Sequence, residues 1–273
     1  MNHLLQIEWL KLRRYRAFLI MTIFFVVGVF AINYIAFLVN KEIVTSSGPA
    51  SLISFSPYHF PNTWQTTSYL TGFILLVPAL LLIMLTTNEY TYKTHRQNII
   101  DGLSRQQFIS VKIMLALIFA IVSTILVFIT ALLFGFGSGS SFTFTGVEFV
   151  GYFFLKALTY NLIGLLIAVL IKRTGFATGL YFIYMGGENF VAKFLDVWSI
   201  KIKTMYGNDV GSMGDYLPMN AADGLLTFPK NTITDMSKSI FPTDYTWIIF
   251  SLAILYLVVF YWWTRRKFIT TDL

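Results

Sequence analysis

The chain has no cysteine among its 273 residues, only three histidines, and charged residues at only 12% of positions. Without cysteine there can be no disulfide, thiolate zinc site or iron–sulfur cluster. His3, His59 and His95 are widely separated, so no HExxH metalloprotease helix exists. No GxSxG nucleophile elbow occurs. No Walker A sequence occurs either, so the chain lacks the usual phosphate cradle for ATP. With this little charge and a 56% hydrophobic composition, polar residues cannot cover the apolar surface. A mean hydropathy of +0.68 makes lipid the expected solvent.

Apolar runs are abundant. Crossing the hydrocarbon core takes about 20 residues, and six segments qualify: Ala17–Val39, Thr67–Thr87, Ile113–Phe136, Phe149–Ile171, Phe176–Phe194 and Thr246–Trp263. The fifth is the least apolar, carrying Gly186, Gly187, Glu188 and Asn189. The expectation is a single all-α, polytopic membrane domain over residues 1–273 with six transmembrane helices.

The net charge of +7 does not point to nucleic acid, because the basic residues flank apolar spans. Of 20 Lys and Arg, 13 fall in Met1–Arg16, Asn88–Lys112, Lys172–Gly175 and Thr264–Leu273. By the positive-inside rule these segments and both termini are cytoplasmic. Met1–Arg16 is too charged for a cleaved signal peptide, so the first span is expected to be a retained anchor. Residues 1–16 read as a helix lying in the headgroup region, with Leu5, Trp9 and Leu12 clustered, or as a plain basic flank. Residues 195–244 form the largest predicted external segment, in which Tyr216–Phe228 reads as a short interfacial or re-entrant helix. The glycine-rich GFGSGSS reads as a flexible hairpin connection, not a phosphate loop, because no Lys follows it.

The bridge NEYTYKTHRQNIIDGLSRQQFISVK, Asn88 to Lys112, is the most informative segment. It is too polar for lipid, and its punctuation is that of helices meeting at an elbow. Gly102 sits where a helix C-cap falls, and Ser104 with Gln107 has capping-box spacing. A defined polar knob with an apolar tip at Ile99, Ile100 and Leu103 can receive force from a soluble partner.

Within the spans, ionisable and polar groups are candidates for function. Lys156, Glu188 and Asn189 stand out. At about 1.5 Å per residue, Lys156 and Glu188 lie roughly 22 and 18 Å from the Lys172–Gly175 turn. Antiparallel neighbours would bring them side by side as an ion pair; the alternative is that each snorkels separately. Gly175 and Gly179 have the GxxxG spacing that permits close helix packing.

With these residues in view, the chain resembles the membrane (permease) subunits of bacterial ABC transporters of the type-2 exporter class. The resemblance rests on FPNTW (Phe60–Trp64), on the bridge with Glu89, Tyr92, Thr94, Arg96, Ser104, Arg105 and Lys112, on YLPMNA (Tyr216–Ala221) and on the opening IEWLKLRRYR. Lys93 departs from the family's usual glycine. The resemblance implies a type-2 ABC exporter permease fold in a bacterial cytoplasmic membrane. It implies a homodimer or heterodimer enclosing a path, and a separate ATP-binding subunit docked on residues 88–112. Glu89, Tyr92, Thr94, Arg96, Asp101, Ser104 and Arg105 would carry that coupling. ATP and Mg would be bound by the partner, with no cofactor in this chain. Competing readings are an ion-coupled secondary transporter using Glu188, an intramembrane enzyme, and a non-transporting resistance or assembly factor on the same fold.

Overall fold

The computed structural model describes residues 2–45, 56–100, 102–229, 242–243 and 245–270. Within them every regular element is helical: α1 (Asn2–Arg14), α2 (Arg16–Thr45), α3 (Asn62–Gly72), α4 (Leu76–Thr91), α5 (Thr94–Ile100), α6 (Arg105–Gly137), α7 (Glu148–Ile171), α8 (Thr174–Tyr206), a 3-10 turn (Met213–Tyr216), α9 (Asn220–Gly224) and α10 (Thr246–Thr270). In lipid the backbone must satisfy its own hydrogen bonds, and the helix does so within one segment.

The central post is α7. It is apolar on all sides, and 72% of its most apolar stretch is buried, against 17–28% for α2, α6 and α10. The bent α3/α4 pair, α6, α8 and α10 pack around it. Asn161 on α7 donates to the Ala116 carbonyl of α6 at 3.0 Å, and Gly164 lets α7 approach the α4 backbone at Ala79 closely. α8 follows α7 after only Lys172 and Arg173, with Lys172 in the left-handed conformation at φ 58°.

Two spans differ from the sequence expectation. Thr67–Thr87 is not one straight helix: α3 and α4 meet at 43° across a break at Phe73–Leu75. Pro78 supplies the cause. It lacks an N–H, and its ring crowds the carbonyl four residues back, at Ile74. The chain there closes tighter three-residue bonds, with Ile74 N–H donating to Thr71 and Val77 N–H to Ile74. Secondly, α8 covers Phe176–Phe194 but runs unbroken to Tyr206, into the segment expected to be a loop. Among the described residues four helices, α2, α6, α7 and α10, are long and apolar enough to cross a membrane, and the bent pair makes five. α8 matches them in length but not in apolar content.

The bridge has the punctuation expected of it. Gly102 adopts φ +99°, and Leu103 N–H donates to Asn98 at 3.0 Å, the bond that closes a helix C-terminus around a left-handed glycine. Ser104 accepts from Gln107 N–H at 3.2 Å while the Gln107 side chain accepts from Ser104 N–H at 3.0 Å, so the capping box is complete. The additional feature is Lys93, at φ 57°, which turns α4 into the separate helix α5. A glycine would take that conformation without strain.

At the opposite end of the bundle, FPNTW and the connection after α6 hold each other. Phe60 packs on Trp64, Phe136 and Phe142. Trp64 Nε1 donates to the Thr143 carbonyl at 2.9 Å, and Phe60 N–H to Ser140 Oγ at 3.1 Å. The Phe60 ring lies where a Cβ on Gly135 would stand, 2.4 Å from its Cζ. GFGSGSS is therefore a pinned connection, not a free one.

Candidate functional site

Among the described residues, two centres of ion-paired side chains lie within the bundle, one at the elbow end and one near the helix break. The first joins three helices. Lys112, in the second turn of α6, donates to Glu8 Oε2 at 2.7 Å and to Glu89 Oε1 at 2.8 Å. Lys11 donates to Glu8 Oε1 at 2.8 Å and to the same Glu89 oxygen at 2.9 Å. Two ammonium groups and two carboxylates thus close a ring among α1, the end of α4 and the start of α6. Its charges cancel. The Lys112 side chain is only 1% exposed, so its charge is tolerable only with both partners present. Burial works against ionised Glu8, but Lys112 and Lys11 outweigh it and hold the carboxyl below its ordinary value. Burial likewise opposes charged Lys11, and Glu89 and Glu8 outweigh it to hold the ammonium above its ordinary value.

α1 is consequently docked by its charged face. Glu8 and Leu12 are buried, whereas Trp9 is 57% exposed. Of the clustered Leu5, Trp9 and Leu12, Leu12 is buried and Leu5 half-buried while Trp9 faces out, because the Glu8–Lys11 pair and Leu12 fix the helix rotation.

The elbow grows from this ring. His95 is buried, its Nδ1 3.0 Å from the Glu89 carbonyl oxygen and its ring 4.6 Å from that of Tyr90. Thr94 Oγ1 donates to the same carbonyl at 3.4 Å. Arg105 donates to the Ile269 carbonyl of α10 at 3.2 Å, beside the parallel rings of Phe108 and Phe268. The residues expected to couple therefore separate by role. Glu89, Thr94, Ser104 and Arg105 brace the elbow internally. Tyr92 is 74% exposed and Ile100 82% exposed, and both stand on its free surface. Arg96 lies on α5, but its side chain, like the whole of Asp101, is outside the described residues.

The second centre corrects the Lys156–Glu188 pairing. Lys156 on α7 meets Asp223 Oδ1 at 3.2 Å, and Tyr160 OH donates to both Asp223 oxygens at 3.1 and 3.0 Å. Glu188 on α8 instead accepts from the backbone N–H groups of Met219 and Asn220 and from Asn220 Nδ2, the last two at 2.9 and 3.2 Å. It therefore satisfies orphan donors at the start of α9, where a negative charge is favoured. Both side chains grip the short segment containing α9, one from each side, and so do not meet. Gln65 on α3 adds a third hold, Nε2 to the Thr227 carbonyl at 3.0 Å, and Tyr256 on α10 a fourth, OH to the Tyr216 carbonyl at 2.8 Å. Asn189 donates to the Met185 carbonyl of its own helix at 2.9 Å. The Lys156 ammonium lies against Gly72, the last residue of α3, where a Cβ would stand 2.8 Å from Nζ.

Glu8, Lys11 and Asp223 escape sequence reasoning. Glu8 carries a signal all the same: it is the only acidic residue before Glu42, set among basic ones.

The ring thus locks α1 to a capped elbow between two apolar helices. The family described as "ABC-2 family transporter protein" matches residues 4–187. The chain belongs to that family. The match takes in all but the first two residues of α1, the whole elbow, the charge ring and Lys156, and stops at the residue before Glu188. No curated protein matches the chain. As an ABC-2 family member it is a transmembrane, permease-type component of a transporter and not itself the ATPase.

Proposed function

We propose that this chain is the permease subunit of an ATP-driven exporter. It works as a dimer, homomeric or with a second permease, that encloses the substrate path, and separate ATP-binding subunits drive it from the cytoplasmic side. The observation that carries the reading is the charge ring of Glu8, Lys11, Glu89 and Lys112 beneath the exposed elbow tip. It makes α1, α4 and α6 one rigid body with a free contact surface at Tyr92 and Ile100. The clustering of Lys and Arg at the elbow end supports its cytoplasmic placement. α8 is the sixth span in this reading. It carries the exposed Phe176, Ile183, Phe190 and Phe194, together with Gly175 and Gly179, neither of which has a neighbour within 4 Å of a Cβ position.

ATP and Mg belong to the partner subunit, where hydrolysis supplies the work. In this chain the elbow takes up the partner's movement and the ring transmits it to α4 and α6. The α9 segment closes the outer end until Asp223 leaves Lys156 and Tyr160. This is rigid-body switching between two packed arrangements.

Co-expression with the ATP-binding subunit tests the reading. The partner is expected to co-purify with the wild-type chain and to be lost from Ile100→Asp and Tyr92→Asp variants that still fold. Unchanged co-purification from both would overturn the docking surface. Because the chain has no cysteine, a single cysteine at Ile100 also reports topology. It is expected to react with a membrane-impermeant maleimide only after the cytoplasmic face is opened.

A further inference from the structure

An apolar groove of about 910 Å³ lies between the α1–α2 pair on one side and α4 and α6 on the other. The break at Phe73–Leu75 accounts for it, because α4 leaves the line of α3 at 43° and Pro78 and Leu81 line the groove just beyond it. Its wall on α6 runs from Leu115 to Leu126, about 16 Å at 1.5 Å per residue. That is one leaflet of the hydrocarbon core, half of about 30 Å. The inner end is closed by the packed cluster of Phe25, Val29 and Val77. At the α1 end the groove is lined by Trp9 and Leu10, both exposed. Polar side chains are few along it: Gln6, Thr22 and Ser123.

We infer that this groove is a binding site for one phospholipid with an anionic headgroup, its acyl chain laid along α6 and its phosphate at the α1 corner. The walls lie on helices that cross the membrane, so an unfilled groove would forfeit contacts along its whole length, and an acyl chain restores them. Its closed inner end and one-leaflet depth fit a chain entering from the elbow side. The exposed Arg13, Arg14 and Arg16 stand at the turn from α1 to α2, the two helices that form this side of the groove. A polybasic corner at the headgroup level attracts anionic lipid, and Trp9 has the interfacial character that marks this depth. The ring of Glu8, Lys11, Glu89 and Lys112 holds α1 in place, so this end of the groove is preformed.

The full-length protein, reconstituted with equal dioleoylphosphatidylglycerol and dioleoylphosphatidylcholine and then extracted in mild detergent, is examined by native mass spectrometry. One phosphatidylglycerol is expected to remain on each chain. Val122→Phe and Thr22→Phe, which fill the groove, are expected to lose it. Val258→Phe, on the exposed face of α10, is expected to keep it. The double change Arg13→Glu with Arg14→Glu is expected to abolish the preference for phosphatidylglycerol. Should a filled variant not fold, phosphatidylglycerol with brominated chains is titrated into the wild type. It is expected to quench a share of tryptophan emission that is absent from Trp9→Phe. The inference is overturned if Val122→Phe retains as much lipid as wild type, or if quenching is unchanged in Trp9→Phe. It is also overturned if cysteines placed at Val122 crosslink two chains, for a second copy would then fill the groove. None of these readouts depends on transport, so the lipid site and the exporter reading fail separately.

Discussion

Lys112 on α6 and Glu8 on α1 are 104 positions apart in the chain and 2.7 Å apart in space. This contact fastens the first helix to the elbow. Lys112→Met removes the ammonium shared by Glu8 and Glu89 and leaves two buried carboxylates with Lys11 alone. Breaking a buried pair from one side costs about 3–5 kcal/mol. A lowered melting temperature in detergent is expected, together with loss of transport. Exchanging the charges as Glu8→Lys with Lys112→Glu is expected to recover only part of the stability, because Glu89 then faces another carboxylate.

Acid is expected to release α1. The Glu8 carboxyl is held below its ordinary 4.5, so its ionised form contributes stability above that value and loses it as pH falls through the lowered one. Melting temperatures of wild type and Glu8→Gln are expected to differ at neutral pH and to converge well below pH 4.5. Lys11, held above its ordinary 10.5, contributes below that value and loses its share only as pH rises beyond it. Equal melting temperatures of the two proteins at neutral pH would show that Glu8 carries no such charge.

Lys93→Gly is expected to stabilise the protein by about 1 kcal/mol, the cost of placing a side-chain-bearing residue in the left-handed region. Lys93→Pro is expected to destabilise it, since proline cannot reach φ 57°. Thermal melting of the three proteins decides the order.

Asp223→Asn leaves Lys156 without its counter-charge and weakens one of the holds on the α9 segment. A loss of about 1–3 kcal/mol is expected for an unmet, partly buried charge. A cysteine at Thr227 is expected to react faster with maleimide in Asp223→Asn than in an otherwise wild-type background. Equal rates would separate Asp223 from closure of this end.

Gly135→Ala places a methyl group inside the Phe60 ring, and Gly137→Ala, two residues on, meets nothing within 4 Å. The first is expected to lower the melting temperature and the second to leave it within about 0.5 kcal/mol of wild type.

The all-helical class, most span positions and the elbow were legible in the sequence, because lipid enforces long apolar runs and because capping chemistry is local. Gly102, Ser104 and Gln107 act on neighbours within a few positions, so their spacing reveals them. Pro78 was equally visible, but a proline inside an apolar run kinks or merely decorates a helix according to its tertiary surroundings. The charge ring was half legible: Glu89 and Lys112 drew notice through the bridge, while Glu8 and Lys11 need α1 folded back onto it. The Lys156–Glu188 pairing failed because depth along two helices was matched without the α9 segment, which inserts between them and supplies Asp223 to one and backbone donors to the other.

The break at Phe73–Leu75 sets a bend beside a bolt. α4 carries Glu89 at its far end, and just before the bend the Lys156 ammonium rests on Gly72. The lysine that fastens Asp223 is thus seated on the same proline-bent rod whose lower end holds the charge ring.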